Sequence, residues 1–192
     1  MTDLTPERIT AFFDHVAADW DEMRLVYYDE AVIEHLAAAA ELDETMTVAD
    51  IGTGTGFVAA GLAGRVARVI GIDDSPGMLA EAERNLAELG ATNVELHRGD
   101  IAALPLPDDS VDAAVANMVL HHATDPAAML REMARVVRPG GTVAICDEVT
   151  HSYAWMREEH HDVWLGFSHE QVSAFFATAG LEAPSLEVLG RQ

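Results

Sequence analysis

The sequence predicts an α/β fold, with a doubly wound and mostly parallel sheet preceded by a helical cap. Three observations indicate this class. Apolar runs of strand length alternate with helical patterns between residues 47 and 189. A glycine-rich bend joins the first apolar run to the next helical pattern, and several later runs end in an acidic or amide side chain. Parallel strands connected by helices produce this alternation and present their carboxyl ends to a ligand.

Composition excludes several function classes. The 192-residue chain carries a formal net charge of −22, and its 11 basic residues are all arginine. A surface this acidic repels phosphate backbones, so we expect no nucleic-acid substrate. The apolar runs are too short to span a membrane, and the first residues lack a signal-peptide core. A single cysteine, Cys146, agrees with a reducing compartment, so we expect a cytoplasmic protein.

Two helical patterns precede the first strand. The run from Thr5 to Glu7 is typical of a helix start, with proline at the first helical position. Apolar residues then recur at helical spacing as far as Met23, and a second pattern follows Asp29. Two amphipathic helices are therefore expected to form a cap over the sheet.

The bend after the first strand carries three glycines at alternate positions, Gly52, Gly54 and Gly56. A dinucleotide-binding bend places its third glycine one residue later, where this chain has Phe57. Asp50 precedes the glycines, and a carboxylate there suits an ammonium group better than a pyrophosphate. The bend and the helix start after it leave backbone amides available to a ligand.

Later strands also end in polar side chains. The strand over residues 68–73 ends in Asp73, 21 positions after Gly52, where a carboxylate can accept hydrogen bonds from ribose hydroxyls. We expect Asp73 rather than Asp74 to do so, because neighbouring strand residues face opposite sides. A helix capped by Ser75 follows and stops at Gly90.

The third strand, residues 93–97, leads to Asp100, and the fourth, residues 111–120, carries Asn117 towards its end. A helix follows Asp125, and the turn over residues 138–141 precedes a fifth strand over residues 142–146. Residues 148–167 are irregular, a capping box at residues 168–171 starts the last helix, and residues 185–189 read as a sixth strand.

These motifs together resemble class I S-adenosylmethionine-dependent methyltransferases of the ubiquinone/menaquinone-methylase-like kind. The resemblance covers about residues 14–181 and rests on the acid-flanked G-x-G-x-G at residues 50–56, the G-D turn at residues 99–108 and the L-R-E-x-x-R-V-x-R-P-G-G run at residues 130–141. The resemblance and the strand ends together imply these cofactor-binding residues: Asp50, Gly52, Thr53, Gly54, Gly56, Asp73, Asp74, Met78, Asp100, Ile101 and Asn117.

The reaction that the resemblance implies is transfer of the sulfonium methyl group to an unidentified small molecule, leaving S-adenosylhomocysteine. His121, after the fourth strand, is the best-placed general base. We expect a single domain over residues 1–192, with a cap at 1–45, a cofactor-binding core at 46–147, a substrate lid at 148–167 and a last helix and strand at 168–192. The substrate-side candidates are Trp20, Met23, Tyr28, His122 and Trp155.

Some alternatives stay open at this stage. An NAD(P)-linked oxidoreductase would use Asp73 in the same way, and a cofactor-binding protein without catalysis would share the whole pattern. Glu158 and His161 have a spacing that suits a metal on one helix face, but no pair at i, i+4 accompanies them, so we expect no metal. The family's last, antiparallel strand has no counterpart, so we expect either that the sixth strand pairs with the fifth and covers the edge, or that the uncovered edge forms a homodimer.

Overall fold

The computed structural model describes residues 4–189. Five strands form one sheet in the order β3-β2-β1-β4-β5, and every neighbouring pair is parallel. They are β1 (Thr47–Ile51), β2 (Arg68–Asp73), β3 (Val94–Arg98), β4 (Val111–Asn117) and β5 (Val137–Cys146). The chain builds outwards from β1 to β3 and then crosses to β4, which leaves a crevice at the carboxyl ends of β1 and β4. The predicted doubly wound sheet is confirmed.

Helices cover both faces of the sheet and form the cap. They are α1 (Pro6–Val16), α2 (Trp20–Met23), α3 (Ala31–Ala39), α4 (Phe57–Ala63), α5 (Pro76–Leu89), α6 (Pro126–Val136), α7 (Met156–Glu159) and α8 (His169–Thr178). The first predicted cap helix is interrupted, because 3₁₀ turns at Ala17–Asp19 and Arg24–Val26 flank α2. The remaining helix starts agree with their predicted caps, including the capping box at Ser168.

Alternating strand residues divide the core into two apolar clusters, one on each face of the sheet. Ala49 and Ile51 of β1 belong to the cluster that includes α6 and α8, while Val48 belongs to the cluster that includes α3 and α4. All three side chains are fully buried. Burial on both faces explains why β1 reads as a nearly continuous apolar run.

Two predicted boundaries at the end of the sheet differ from the structure. The helix α6 passes directly into β5 at Val137, and residues 138–141 form an irregularity in the ladder instead of a turn before it. The predicted sixth strand at residues 185–189 is wrong, since this segment is irregular. Val188 is 58% exposed, and an apolar run without a neighbouring strand to bond has no reason to stay extended.

Between residues 4 and 189, no helix is long and apolar enough to cross a membrane. The five described strands include no antiparallel one, so β3 and β5 are the two edges of the sheet.

Candidate functional site

A cleft of about 200 Å³ opens at the carboxyl ends of β1, β2 and β4, below helix α1 of the cap. This is the crevice that the strand order predicts. The predicted residues that line it are Trp20, Tyr28, Gly52, Gly54, Asp73, Asp74, Met78, Asp100, Ile101, Asn117 and His122. The structure therefore brings most of the predicted site to one place.

The glycine bend forms part of the cleft wall. Gly52 and Gly54 both have positive φ, +68° and +54°, which favour glycine. The amides of Gly52 and Thr53 donate to the Ile72 carbonyl at 2.8 and 2.9 Å, and that of Gly54 donates to the Asp73 carboxylate at 2.9 Å. The prediction that the bend leaves these amides available to a ligand is therefore wrong. A Cβ added at Gly52 would lie 2.4 Å from a methyl carbon of Val119. Only a bare backbone fits between β1 and Val119.

Three predicted cofactor residues do not line this cleft. Asp50 is buried and accepts a 2.6 Å hydrogen bond from the Thr53 hydroxyl. Gly56 caps α4 with φ +81°, and a Cβ there would come within 3.2 Å of Ala82. These residues shape the bend from behind. Asp50 was predicted to contact an ammonium group of the ligand. Its buried position gives this contact no support, so it stays a prediction.

Burial raises the pKa of Asp50 to about 6, although the hydrogen bond from Thr53 opposes the shift. The folded chain thus holds more protons than the unfolded chain between pH 3.8 and about 6. The free energy of unfolding must fall as the pH rises through that window.

We expect Asp50→Asn to stabilise the chain at pH 8 by up to about 3 kcal/mol, since one pKa unit corresponds to about 1.4 kcal/mol. The gain should shrink as the pH falls towards 5, because the wild-type carboxyl then becomes neutral as well. Urea unfolding of both proteins at pH 5 and pH 8 measures it. A pH-independent difference would show that the Asp50 charge is not the cause.

Two carboxylates follow β2 and point to different partners. Asp73 accepts hydrogen bonds from the amides of Gly54 and Ser75, both at 2.9 Å. Asp74 instead accepts from the Thr10 hydroxyl of α1 at 2.8 Å. Burial raises the pKa of Asp73 to about 6, and the two amide bonds only partly offset it. The two amide bonds thus hold Asp73 against the glycine bend. This is the residue that the sequence predicts to bind the ribose.

The remaining predicted cofactor residues complete the cleft from both sides. Asp100 is exposed and accepts from the Ala102 amide at 2.8 Å, while Ile101 beside it is half-buried. Met78 is almost fully buried. Asn117, at the end of β4, has both side-chain polar atoms buried without a hydrogen-bond partner. Burying a side-chain amide without hydrogen-bond partners costs free energy. This indicates that a bound ligand supplies the partners.

Three of the five substrate-side candidates lie on the cleft. Trp20, Tyr28 and His122 line it and also line a smaller neighbouring cavity. Met23 and Trp155 line neither of these two cavities, and Trp155 is 46% exposed. The first 3₁₀ turn rotates the cap after α1, so helical spacing alone does not predict which cap residues face inwards.

Sequence reasoning missed the contacts that hold the cap on the core. Asp14 accepts hydrogen bonds from the Ser75 hydroxyl at 2.6 Å and the Gly77 amide at 2.9 Å. Asp21 accepts from the Thr55 hydroxyl and the Asn85 amide group, both at 2.8 Å. Both aspartates lie at the start of the part of the chain, about residues 14–181, over which the family resemblance extends, and no other feature of the sequence indicated their role.

His121 lies behind the cleft, in a second cavity of about 20 Å³. Its Nδ1 is 2.8 Å from the Asp147 carboxylate. Burial lowers the pKa of His121, but the carboxylates of Asp147 and Asp162 outweigh this and raise the pKa to about 9. A protonated imidazole outside the cleft is poorly suited to the predicted role of general base.

The charges of the cleft distinguish between cofactors. Asp73, Asp74, Asp100 and Asp125 line it, and among its described lining residues there is no lysine or arginine. A pyrophosphate would meet repulsion here, whereas a sulfonium or an ammonium group would be attracted. The bare bend at Gly52, the unpartnered amide and the acidic wall therefore fit S-adenosylmethionine and disfavour NAD(P).

Comparison with known proteins agrees with this site. The methyltransferase domain family matches residues 49–145, about half of the chain. The chain is 42% identical over 106 residues to an arsenite methyltransferase of Halobacterium salinarum, covering 54% of this chain and 27% of that protein. It is 35% identical over 147 residues to a demethylmenaquinone methyltransferase of Clavibacter sepedonicus, covering 74% of this chain and 58% of that protein.

Among solved structures, a Haloferax volcanii methyltransferase in complex with the Trm112 methyltransferase activator is similar. It is 31% identical with a TM-score of 0.75, and the match covers 88% of this chain and 75% of that one. The chain thus spans well under two thirds of both curated relatives and most of this structural neighbour.

Proposed function

The chain belongs to the methyltransferase domain family, and from this premise we propose that it transfers the methyl group of S-adenosylmethionine to a small neutral or cationic molecule. S-adenosylmethionine is the cofactor of this class I family. The observation that carries the proposal is the gathering of the Gly52 bend, Asp73 and the unpartnered Asn117 around one acidic cleft.

Each part of the cleft is assigned to one part of the cofactor. Asp73 accepts from the ribose hydroxyls with the lone pairs that Gly54 and Ser75 leave free. Asp100 and the Ile101 amide bind the adenine edge, and Met78 packs against its face. The carbonyl groups of Gly52 and Gly54 and the Asn117 side-chain amide hold the amino-acid end, because the backbone amides of residues 52–54 already donate within the protein.

The bound cofactor supplies an activated methyl group on a positively charged sulfur. The chain then needs chiefly to align the acceptor and exclude water. Phe13 and Trp20 of the cap line the cleft with Tyr28 and His122, and the rings of Phe13 and His122 meet edge to face with centroids 4.9 Å apart. Asp14 and Asp21 keep this aromatic wall in place through their bonds to the core.

The aromatic side chains that line the cleft also restrict which chemical classes of methyl acceptor can bind. Aromatic side chains in a cleft whose described lining residues include no lysine or arginine favour a flat apolar or cationic acceptor over an anion. The Halobacterium relative is named for arsenite. The one cysteine here, Cys146, is half-buried at the end of β5, and burial raises the pKa of its thiol to about 11. Thiolate capture of arsenite is therefore not proposed for this chain.

Calorimetry tests the cofactor assignment. We expect S-adenosylmethionine and S-adenosylhomocysteine each to bind with one site per chain, and NAD and NADP to release no heat of binding. Binding of NAD without binding of S-adenosylhomocysteine would overturn the proposal in favour of an oxidoreductase.

A second measurement separates an enzyme from a binding protein. The chain is incubated with S-adenosylmethionine and a panel of phenols, quinols and amines, and S-adenosylhomocysteine is quantified. Acceptor-dependent production supports the methyltransferase. Binding with no turnover on any acceptor of these classes would favour the non-catalytic alternative.

We also propose that β5 pairs with a second copy of the chain. β5 is an edge strand with the apolar residues Val143 and Ile145, whereas the segment just beyond it is already bridged to Phe167 at Val149. An edge with apolar residues beside it is a template for association. The Haloferax neighbour is complexed with an activator protein, so a different protein on an edge is the competing outcome. Light scattering after size exclusion decides, and a strict monomer would exclude the homodimer.

A further inference from the structure

The second cavity, next to the cofactor cleft, collects groups that bind metal ions. His121, His122, Glu148, His160 and Asp162 all line it. Its volume of about 20 Å³ holds a single water molecule or ion. His121, His122 and Asp162 are all buried, and each offers a ligand atom within 4.8 Å of the other two. The proposed methyl transfer uses neither His121 nor Asp162.

Asp162 is the unexplained member of the group. Its side chain is fully buried, and neither carboxylate oxygen has a hydrogen-bond partner. Its Oδ1 lies 3.9 Å from Nε2 of His121. That distance is too long for a hydrogen bond, yet it matches two metal–ligand bonds of about 2.1 Å that meet at an obtuse angle. Burying a carboxylate without a hydrogen bond costs several kcal/mol. In the metal-free chain the charge of a protonated His121 offsets part of this cost, and a bound cation would take the place of that proton.

The other side of His121 is arranged as in known metal sites. Its Nδ1 is 2.8 Å from the Asp147 carboxylate, which also accepts from the amides of Val119 and Leu120 at 3.1 and 2.8 Å. A carboxylate on one ring nitrogen fixes the tautomer, orients the ring and directs the other nitrogen at a metal. Here the other nitrogen, Nε2, faces Asp162.

We propose that this cavity binds one first-row divalent metal cation through His121, His122 and Asp162. Two imidazoles and one carboxylate, without a thiolate, suit Zn²⁺, Mn²⁺ or Fe²⁺ better than Ca²⁺ or Mg²⁺. Glu148 lines the same cavity and offers a carboxylate oxygen as the fourth ligand. The site shares Trp20, Tyr28 and His122 with the cleft, so the cation would lie directly behind the wall that faces the methyl acceptor.

A second triad, Glu148, His151 and Asp162, also has suitable spacing. Its histidine is already engaged, because Nε2 of His151 is 2.8 Å from the Glu148 carboxylate. His121 has its Nε2 directed at Asp162 without such a bond. We therefore assign the metal to the first triad. The two triads predict different effects for variants at His121 and His151.

The test uses the full chain stripped with a chelator and then dialysed against Zn²⁺. Mass spectrometry should find one tightly held zinc per chain in the wild type, and Asp162→Asn should lose it. Asp147→Asn should weaken zinc binding about 10- to 100-fold by releasing the ring of His121. Glu158→Gln, an exposed acid on α7, and His151→Gln serve as controls and should keep the zinc.

Thermal unfolding provides a readout that does not depend on activity. Zinc should raise the unfolding temperature of the wild type and leave Asp162→Asn unchanged. Without metal, Asp162→Asn should unfold at the same or a higher temperature, because it removes a buried charge. If Asp162→Asn fails to fold, His121→Gln takes its place in both measurements.

Two results would overturn the proposal. One is zinc binding of the wild type no tighter than that of Asp162→Asn, which would leave only a water molecule in the cavity. The other is loss of zinc in His151→Gln with retention in His121→Gln, which would assign the metal to the other triad.

Discussion

Gly52→Ala should lower the free energy of unfolding by about 2–5 kcal/mol and abolish binding of S-adenosylhomocysteine. Two costs add. An alanine held at φ +68° loses about 1–2 kcal/mol, and overpacking a tight contact loses about 1–3 kcal/mol. The added Cβ would lie 2.4 Å from Val119, so β1 and the segment after β4 must separate at the floor of the cleft. Urea unfolding and calorimetry measure the two effects.

Two variants separate the costs. Gly90 has nearly the same φ, +67°, but an added Cβ there has no atom within 4 Å. Gly90→Ala should therefore lose only the cost of the backbone conformation and keep cofactor binding. Val119→Ala combined with Gly52→Ala should recover part of the stability, because it removes the contacted methyl groups. Equal losses in Gly52→Ala and Gly90→Ala would show that Val119 does not restrict this position.

The sheet and the residues that line the cleft at the strand ends could be predicted because their signals are local. A strand end follows from a short apolar run, and parallel topology brings the ends together without further information. Asp73 and Asn117 were found in this way. Asp50 lies one position before the end of β1, and the pattern does not say that its carboxylate points behind the bend.

The rest depends on contacts between distant residues. His121 meets Asp147 across 26 positions, and Asp162 is 15 residues further along in an irregular segment. No periodicity links such residues, so nothing in the sequence indicated that three potential metal ligands, His121, His122 and Asp162, lie together. The prediction for residues 185–189 was wrong for a different reason. Their pattern is locally typical of a strand, but a strand needs a neighbour to accept its hydrogen bonds.

The aspartates of this chain therefore have three different tasks. Asp73 and Asp100 face the cofactor cleft, Asp14 and Asp21 hold the cap on the core, and Asp162 faces the second cavity. No lysine or arginine is among the described lining residues of the cleft. Of its four aspartates, Asp74 has Arg98 at 3.6 Å and Asp125 has Arg131 at 3.5 Å, whereas no arginine is within 4.0 Å of Asp73 or Asp100 in the described part of the chain. Cofactor binding is consequently expected to depend on individual carboxylates more than on general surface charge.

Asp73→Asn is the sharpest test of that dependence. The carboxylate already accepts from two amides, at Gly54 and Ser75, and is proposed to accept from the ribose as well. Gly54 and Ser75 donate to different oxygens of Asp73, and asparagine has one acceptor oxygen, so its NH₂ group must face one of these two backbone amides. Losing two hydrogen bonds to a charged acceptor corresponds to about 3 kcal/mol or more, so affinity for S-adenosylhomocysteine should fall about 100-fold or more.

Asp74→Asn is the matched control, because it makes the same chemical change one residue away. Its carboxylate accepts from Thr10 of the cap and is 46% exposed, so affinity should change by less than about threefold. Two effects on stability at pH 8 oppose each other in Asp73→Asn: the variant removes a charge that burial disfavours, since burial raises the pKa of Asp73 to about 6, but it leaves a backbone amide facing the NH₂ group. Calorimetry and urea unfolding at pH 8 measure both quantities. If Asp73→Asn binds S-adenosylhomocysteine as tightly as Asp74→Asn does, the ribose is held by other residues. The assignment of Asp73 to the ribose would then be wrong.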